Sequence, residues 1–265
     1  MIKSILLSAV LCAGPWLWAS DKDKSVPGAK VGDKDKSSSG TKVVDSGSFG
    51  IYIQGTRVGT ETFKIEDRGE YDIATAEIRI DDGKSKATQS AEMQFTPQGD
   101  LRSYTWHATL PDTEESSVEP KDSLLVEHVI PADLKKIDVP HLLPLNTIIL
   151  DDNFFSQREL LLWRYMKTFC DAQLACRQGT FAVLVPRQHV SANATIELIG
   201  PDKVNVNGSV RELSKVSVST GAPKKMLVMN GQQDGENGQW LLWVDQQLKI
   251  VKMTVIGTNI EIVRD

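Results

Sequence analysis

One stretch of the chain, residues 151–179, has the pattern of a helix, whereas the segments around it have the pattern of short strands. At about 100° per residue, seven apolar side chains of this stretch fall in one arc about 140° wide. They are Phe154, Phe155, Leu161, Leu162, Tyr165, Met166 and Phe169. A single helix with such a face must bury it against a sheet. The pattern predicts a mainly β (α+β) fold, a large curved antiparallel sheet or incomplete barrel with one principal helix, about 153–169, packed against it.

The start of this helix has two possible caps. Asn153 can serve as N-cap, with Asp151 and Asp152 where the positive end of the helix dipole favours acidic groups. Ser156 and Glu159 have the spacing of a capping box, which predicts a slightly later start. Either cap explains the acidic pair without a catalytic role for it.

The strand segments are separated by turn signals. Asp82-Gly83 and Asn207-Gly208 are strong hairpin signals, and a further hairpin is predicted around Gly55. The acidic segment 112–119 is predicted to be a turn or an exposed edge, and the prolines in 131–144 predict a loop. The order of segments contains no βαβ crossover, so an antiparallel sheet is expected.

The N-terminal residues predict export. Residues 1–20 combine a lysine, an interrupted apolar run and a small-residue end, which is the plan of a signal peptide. A signal anchor is the alternative, although the run is short for a transmembrane helix. Residues 21–47 contain two DKDKS repeats and are predicted to be a disordered linker. We therefore expect a periplasmic or secreted chain, with one domain over 48–265 and no transmembrane span once the signal is removed.

Cys170 and Cys176 are the cysteines that remain after loss of the signal, because Cys12 lies within it. In an exported chain such a pair is predicted to form a disulfide. A thioredoxin-type redox pair needs two intervening residues instead of five, and a metal site needs more ligands.

Chemistry-bearing motifs are absent from the sequence. It contains no zinc-protease, nucleophile-elbow, phosphate-loop or dinucleotide-binding motif. Its histidines are His107, His128, His141 and His189, and none has ligand-type spacing. His107 and His128, both on predicted strands, are the pair to test for convergence. The formal net charge of -5 and the lack of a basic patch argue against a nucleic-acid partner. No catalytic residue, metal or cofactor is predicted.

Four side chains are candidates for ligand binding: Arg158, Trp163, Tyr165 and Trp106. Arg158 falls inside the apolar arc of the helix, where an unpaired guanidinium is costly. It either extends from the first turns of the helix towards solvent or pairs with a carboxylate such as Asp151 or Asp152. The functional alternative is an anion anchor at the mouth of an apolar cavity. The aromatic residues could line such a cavity or could simply be packing.

Two segments resemble a known group of proteins. FGIYIQGTRVGTETFKI, from Phe49, and WLLWVDQQLKIVKMTV, from Trp240, are similar to the opening and closing hairpins of exported bacterial proteins of unknown function. Those proteins are in turn similar to Lol-type lipoprotein carriers, whose fold is an incomplete antiparallel barrel that binds acyl chains. The resemblance implies a cavity here and transfers no functional residue.

Three functions are compatible with these observations. The first is an exported, non-enzymatic protein that binds an apolar or amphipathic, lipid-like ligand between sheet and helix. The second is a structural or interaction module that docks an envelope protein. The third is a lipid or glycan hydrolase, which would require a histidine, a carboxylate and a nucleophile to converge in space.

Overall fold

The structure is a computed structural model that describes residues 41–83, 86–130, 135–151, 153–221 and 238–265. The predicted signal peptide and most of the predicted linker lie outside these ranges.

The described residues form one sheet of fifteen strands and one α-helix. The strands are β1 Lys42–Ile53, β2 Thr56–Asp67, β3 Asp72–Asp81, β4 Lys86–Phe95, β5 Leu101–Leu110, β6 Glu114–Lys121, β7 Leu124–Ile130, β8 Ile137–His141, β9 Ile148–Ile149, β10 Gly179–Val185, β11 Val190–Val206, β12 Ser209–Thr220, β13 Gln239–Val244, β14 Ile250–Val255 and β15 Ile260–Arg264. The helix α1 is Ser156–Phe169, and a short 3-10 helix, Pro186–Gln188, joins β10 to β11.

The sheet runs in the order β8-β7-β6-β5-β4-β3-β2-β1-β15-β14-β13-β12-β11-β10-β9. The first strand therefore pairs with the last, and Phe49 lies opposite Arg264. Each of these pairs is antiparallel except β9 with β10. The predicted mainly β fold with a single principal helix is confirmed.

Asn207 and Gly208 form the predicted hairpin turn between β11 and β12. Their φ angles are 50° and 84°. Two successive positive φ angles are the geometry of a type I′ turn, whose twist matches that of the flanking strands. This local chemistry accounts for the agreement between sequence and structure at the turn.

Four predictions about the strands are wrong. The acidic segment forms β6, because Ser116 and Val118 are buried and alternate with outward-facing glutamates. The proline-rich segment contains β8, where Pro140 is tolerated because β8 ends the sheet. β1 begins at Lys42 instead of near Ser48. β9, α1 and β10 form a parallel crossover, which a two-residue strand is too short to reveal by its pattern.

The apolar arc of α1 is buried as predicted. Phe154, Phe155, Leu161, Leu162 and Tyr165 are at most 1% exposed and belong to one core cluster with side chains of the sheet. The inner face of the helix is therefore packed with side chains. Each buried leucine or phenylalanine contributes about 1.5–3 kcal/mol by removal from water.

The exit of α1 is held to the following strand. Cys170 and Cys176 form the predicted disulfide, with their Cα atoms 4.0 Å apart. Close packing continues at the start of β10, because a Cβ on Gly179 would lie 2.5 Å from the Phe169 ring. The ring therefore needs glycine at this position.

A search of the described residues finds no helix long and apolar enough to cross a membrane.

Candidate functional site

The N-terminus of α1 is capped by a side chain from a distant strand. Glu61 of β2 is fully buried, and its carboxylate accepts hydrogen bonds from the backbone N–H groups of Phe155 (2.7 Å) and Ser156 (3.1 Å). The Ser156 hydroxyl donates a third bond of 2.6 Å to Glu61. The first N–H groups of a helix lack intrahelical partners, so this carboxylate satisfies groups that would otherwise be buried without acceptors.

The predicted cap at Asn153 is therefore wrong, as is the capping box. The helix starts at Ser156, and the residue before it makes no side-chain cap. The Asn153 amide instead donates to Gln89 (3.2 Å), and Asp151 accepts a bond of 3.0 Å from the Tyr104 hydroxyl. Asp152 lies outside the described residues.

Arg158 lies on the buried side of the same helical turn. It is 5% exposed and donates to the backbone oxygens of Asp151 (3.3 Å) and Phe154 (3.1 Å). Its guanidinium lies 4.0 Å from the centroid of the Trp240 ring, which is close for a cation–π contact. These contacts give the buried guanidinium of Arg158 partners within its own helical turn and on β13.

A buried ion network holds the other side of the first helical turn. Arg264 of β15 donates to both carboxylate oxygens of Glu159 (3.2 Å each) and to Asp45 of β1 (2.6 Å). Lys249 donates a bond of 2.6 Å to the second oxygen of Asp45. Because Glu159 and Asp45 are at most 3% exposed, the network contains two buried carboxylates and two cations.

Burial raises the pKa values of Glu61 and Glu159, whereas neighbouring cations lower the pKa of Asp45. Burial raises the pKa of Glu61 to about 7, although the three donors oppose the shift. Burial also raises the pKa of Glu159 to about 8 against the opposing charge of Arg264. For Asp45, burial is outweighed by Lys249 and Arg264, which lower its pKa below the usual value.

These shifts predict that the protein becomes more stable on mild acidification. Between about pH 8 and pH 5, Glu61 and Glu159 bind protons in the folded protein but not in the unfolded chain. The free energy of unfolding should therefore rise as the pH falls, by roughly 2 kcal/mol or more over this window. Urea unfolding at several pH values, followed by tryptophan fluorescence, measures the effect.

Glu61→Gln is the control for the pH experiment. It cannot titrate at position 61, so its stability should vary less with pH than that of the unmodified protein. A stability that stays constant or falls between pH 8 and pH 5.5 would contradict the predicted acidities.

A small apolar pocket opens at the outer margin of α1, and we refer to it as the helix-margin pocket. It has a volume of about 160 Å³ and lies between the helix, the β4–β5 turn and the segment before β9. Its walls include Phe95, Leu101, Leu160 and Trp163, and Arg164 and Lys167 also line it. Arg164 donates a bond of 2.7 Å to the backbone oxygen of Gly99, which joins the helix to the turn.

The structure does not bring the four predicted ligand-binding side chains together at one pocket. Trp163 lines the helix-margin pocket and donates a bond of 2.9 Å to the Leu248 backbone oxygen. Tyr165 is fully buried, and its hydroxyl accepts a bond of 3.0 Å from Leu198 N–H. Trp106 is 2% exposed and donates to Gln89. Tyr165 and Trp106 therefore pack in the core.

A larger groove of about 1020 Å³ crosses the outer face of β1 to β5. Most of its outward-facing side chains are hydroxyl-bearing or charged, such as Ser48, Thr62 and Glu77. His107 at its edge pairs with Glu115 (3.1 Å), whereas His128 contacts Glu119 (3.0 Å). His107 and His128 thus have separate acidic partners.

Glu61 and Glu127 are two buried carboxylates that sequence reasoning missed. Glu61 alternates with Thr60 and Thr62 on β2, so it shares the inward face with Phe63. Glu127 occupies the same kind of position between Leu125 and Val129 on β7. A charged residue on the apolar face of a strand is the signal that could have identified both.

Comparisons with known proteins support the fold class. No protein-family model matches the chain, and no curated protein matches it. Its structure is similar to that of a β-barrel-like protein of domain of unknown function DUF1849 from Brucella abortus. The two chains share 9% identity with a TM-score of 0.50, over 83% of this chain and 94% of that chain. A DUF1089 family protein from Pseudomonas aeruginosa has 11% identity and a TM-score of 0.40, over 77% and 91%.

The fold and the first of these neighbours together define the class. The chain has a mainly β, β-barrel-like fold, and at 9% identity the likeness shows the fold alone.

Proposed function

We propose that the protein is an exported cell-envelope protein that binds an anionic amphipathic ligand in the helix-margin pocket. The proposal rests on one observation, an apolar pocket with cationic groups. Phe95, Leu160 and Trp163 supply apolar contact surface, and Arg164 and Lys167 supply positive charge beside it. An acyl chain with a carboxylate or phosphate head group has the complementary chemistry.

The volume of the pocket limits what it can hold. Pockets for drug-sized ligands span about 300–1,000 Å³. At about 160 Å³, the helix-margin pocket has room for the end of one apolar chain or ring. We infer that the ligand inserts a single tail and leaves its head group at the surface, beside the exposed Lys167. This location differs from the predicted site beneath the helix, where the inward side chains of α1 belong to the core cluster.

Two observations support export. The N-terminal residues have the plan of a signal peptide, and Cys170 is joined to Cys176. Structural disulfides persist in oxidising compartments outside the cytosol. The resemblance to exported proteins with Lol-type relatives agrees with this location and with an amphipathic ligand.

Displacement of a fluorescent fatty acid tests the proposed binding. Lys167→Glu should weaken binding of the fatty acid roughly tenfold, because it exchanges an attractive surface charge for a repulsive one. Leu160→Trp should abolish binding by filling the pocket. Binding is measured by the fluorescence of the probe on titration with delipidated protein.

Lys64→Glu provides the matched control, since Lys64 is also exposed but lies on the outer groove of the sheet. It should bind the probe as the unmodified protein does. The proposal fails if the probe does not bind, or if Leu160→Trp binds it with unchanged affinity.

A further inference from the structure

A separate polar cluster lies where β7 and β8 meet the corner between β10 and β11. At its centre is Glu127, whose side chain is fully buried. One carboxylate oxygen of Glu127 accepts a bond of 3.2 Å from the Ser116 hydroxyl. The other lies 3.0 Å from His141 Nε2 and 3.0 Å from His189 Nδ1. These residues and Ser191 form what we call the Glu127 cluster.

Ser191 completes the cluster on its outer side. Its Oγ lies 3.2 Å from Nδ1 of His141, the ring nitrogen opposite the one that faces Glu127. An ionised carboxylate only accepts hydrogen bonds, so His141 must donate from Nε2. In the neutral ring, Nδ1 is then the acceptor for the Ser191 hydroxyl. Serine, imidazole and carboxylate thus form one directed chain of hydrogen bonds.

Solvent exposure decreases from Ser191 through His141 to Glu127, as nucleophilic catalysis requires of a nucleophile, its base and the group that orients the base. Ser191 is exposed, His141 is 6% exposed and Glu127 is fully buried. A nucleophile must reach the substrate, whereas the group that orients the base works best when protected from water. A purely structural clasp between the two ends of the sheet does not require an exposed serine on the free nitrogen of the imidazole.

A metal site is not the explanation for this cluster. The described part of the chain contains no group of three or more His, Cys, Asp or Glu side chains that could hold a metal ion. Both imidazoles approach the same oxygen of Glu127 at 3.0 Å, His141 through a hydrogen bond and His189 through an ion-pair contact.

We propose that Ser191, His141 and Glu127 form a hydrolytic site for carboxylic esters. Ser191 Oγ attacks the ester carbonyl carbon as its proton moves to His141 Nδ1. The carbon–oxygen bond to the alcohol then breaks, and His141 returns that proton to the leaving alkoxide. Water attacks the acyl-serine with His141 as base, which releases the carboxylic acid and restores the Ser191 hydroxyl. Ester and water are consumed, and acid and alcohol are formed.

An ester is the substrate class that fits these groups. An alkoxide is a better leaving group than an amide anion, and His141 is the acid available to protonate it. His189 is a positioning residue, because it shares the Glu127 oxygen that fixes the His141 ring. The site does not depend on the helix-margin pocket, so either proposal can fail without the other.

Covalent labelling with a fluorophosphonate probe tests the site directly. Incubation of the full chain should place one label on Ser191, located by mass spectrometry of the peptides. Ser191→Ala should lose the label and should hydrolyse p-nitrophenyl butyrate at least about 100-fold more slowly, as expected for loss of a nucleophile. His141→Ala keeps the Ser191 hydroxyl, but its rate of ester hydrolysis should fall by a similar factor because the base is absent.

Ser209→Ala is the matched control, since Ser209 is also an exposed strand serine but lies at the β11–β12 hairpin. Ser209→Ala should still be labelled on Ser191 and should hydrolyse the ester at the rate of the unmodified protein. Thermal unfolding establishes that each variant is folded. If His141→Ala does not fold, the proposal is tested by the rate of Ser191→Ala and by the position of the label. Absence of label from Ser191, or an unchanged rate in Ser191→Ala, overturns the proposal.

Discussion

Glu61→Ala is expected to lower the free energy of unfolding by about 3 kcal/mol or more, since it removes the acceptor of three buried donors. The Phe155 and Ser156 N–H groups and the Ser156 hydroxyl would all lose their partner. For a domain of this size, the loss corresponds to a melting temperature lower by roughly 6–12 °C. Thermal and urea unfolding measure it.

Two variants calibrate this prediction. Glu61→Gln keeps the shape and one good acceptor oxygen, so its loss should lie between those of the unmodified protein and Glu61→Ala. Glu77→Ala removes a glutamate from the neighbouring strand, where its side chain is 46% exposed, and should change stability little. If Glu61→Ala is no more destabilising than Glu77→Ala, the carboxylate does not support the helix.

Arg264→Met is expected to destabilise the protein by about 3–5 kcal/mol, because it leaves the buried Glu159 without its cation and Asp45 with Lys249 alone. Arg264 contacts Glu159 and Asp45 and also lies over the rings of Phe49 (5.6 Å) and Phe63 (5.1 Å). Methionine retains apolar packing but supplies neither charge nor donors. Urea unfolding at pH 8 measures the loss.

Two controls accompany Arg264→Met: a measurement of the same variant at lower pH, and a variant of the more exposed ion pair between Arg57 and Asp265. Its destabilisation should be smaller at pH 5.5 than at pH 8, because Glu159 can then accept a proton instead of remaining charged. Arg57→Met removes a more exposed partner of Asp265 and should cost at most about 1 kcal/mol. Equal losses in the two variants would show that burial does not strengthen the Arg264 network.

The features that could be predicted from the sequence are those encoded by neighbours along the chain. The apolar arc of α1 follows from a period of 3.6 residues, and the burial of Leu161 and Tyr165 confirms it. The Asn207-Gly208 turn follows from the backbone freedom of those two residues. The disulfide was predicted from the two cysteines that remain outside the predicted signal peptide, and it is present.

The strands that could not be predicted form because they pair with neighbouring strands of the sheet, and their own composition does not favour a strand. β6 is acidic on its outer face, and β8 contains Pro140, so both lack the usual signature of a strand. β9 has two residues and exists because β10 lies beside it. Local propensity is a weak guide where partners across the sheet decide the structure.

The two candidate sites differ in how much the sequence revealed. Trp163 was a predicted ligand-binding residue and does line the helix-margin pocket, but Arg164 and Lys167 were not identified with it. For the Glu127 cluster, the sequence analysis proposed the wrong pair of histidines, His107 and His128. The two histidines that approach one carboxylate are His141 and His189.

The sequence by itself determined the secondary structure of α1, several turns and the side chains that share each face. The two-residue period of β2 and β7 places Glu61 and Glu127 on the inward face, but the sequence analysis did not identify them and the period says nothing of their partners. Only the tertiary structure decided that Glu61 caps a helix 94 residues away and that Arg264 reaches Asp45 across 219 residues. Periodicity acts between near neighbours, whereas a buried charge takes its partner from whichever strand the register of the whole sheet places opposite it.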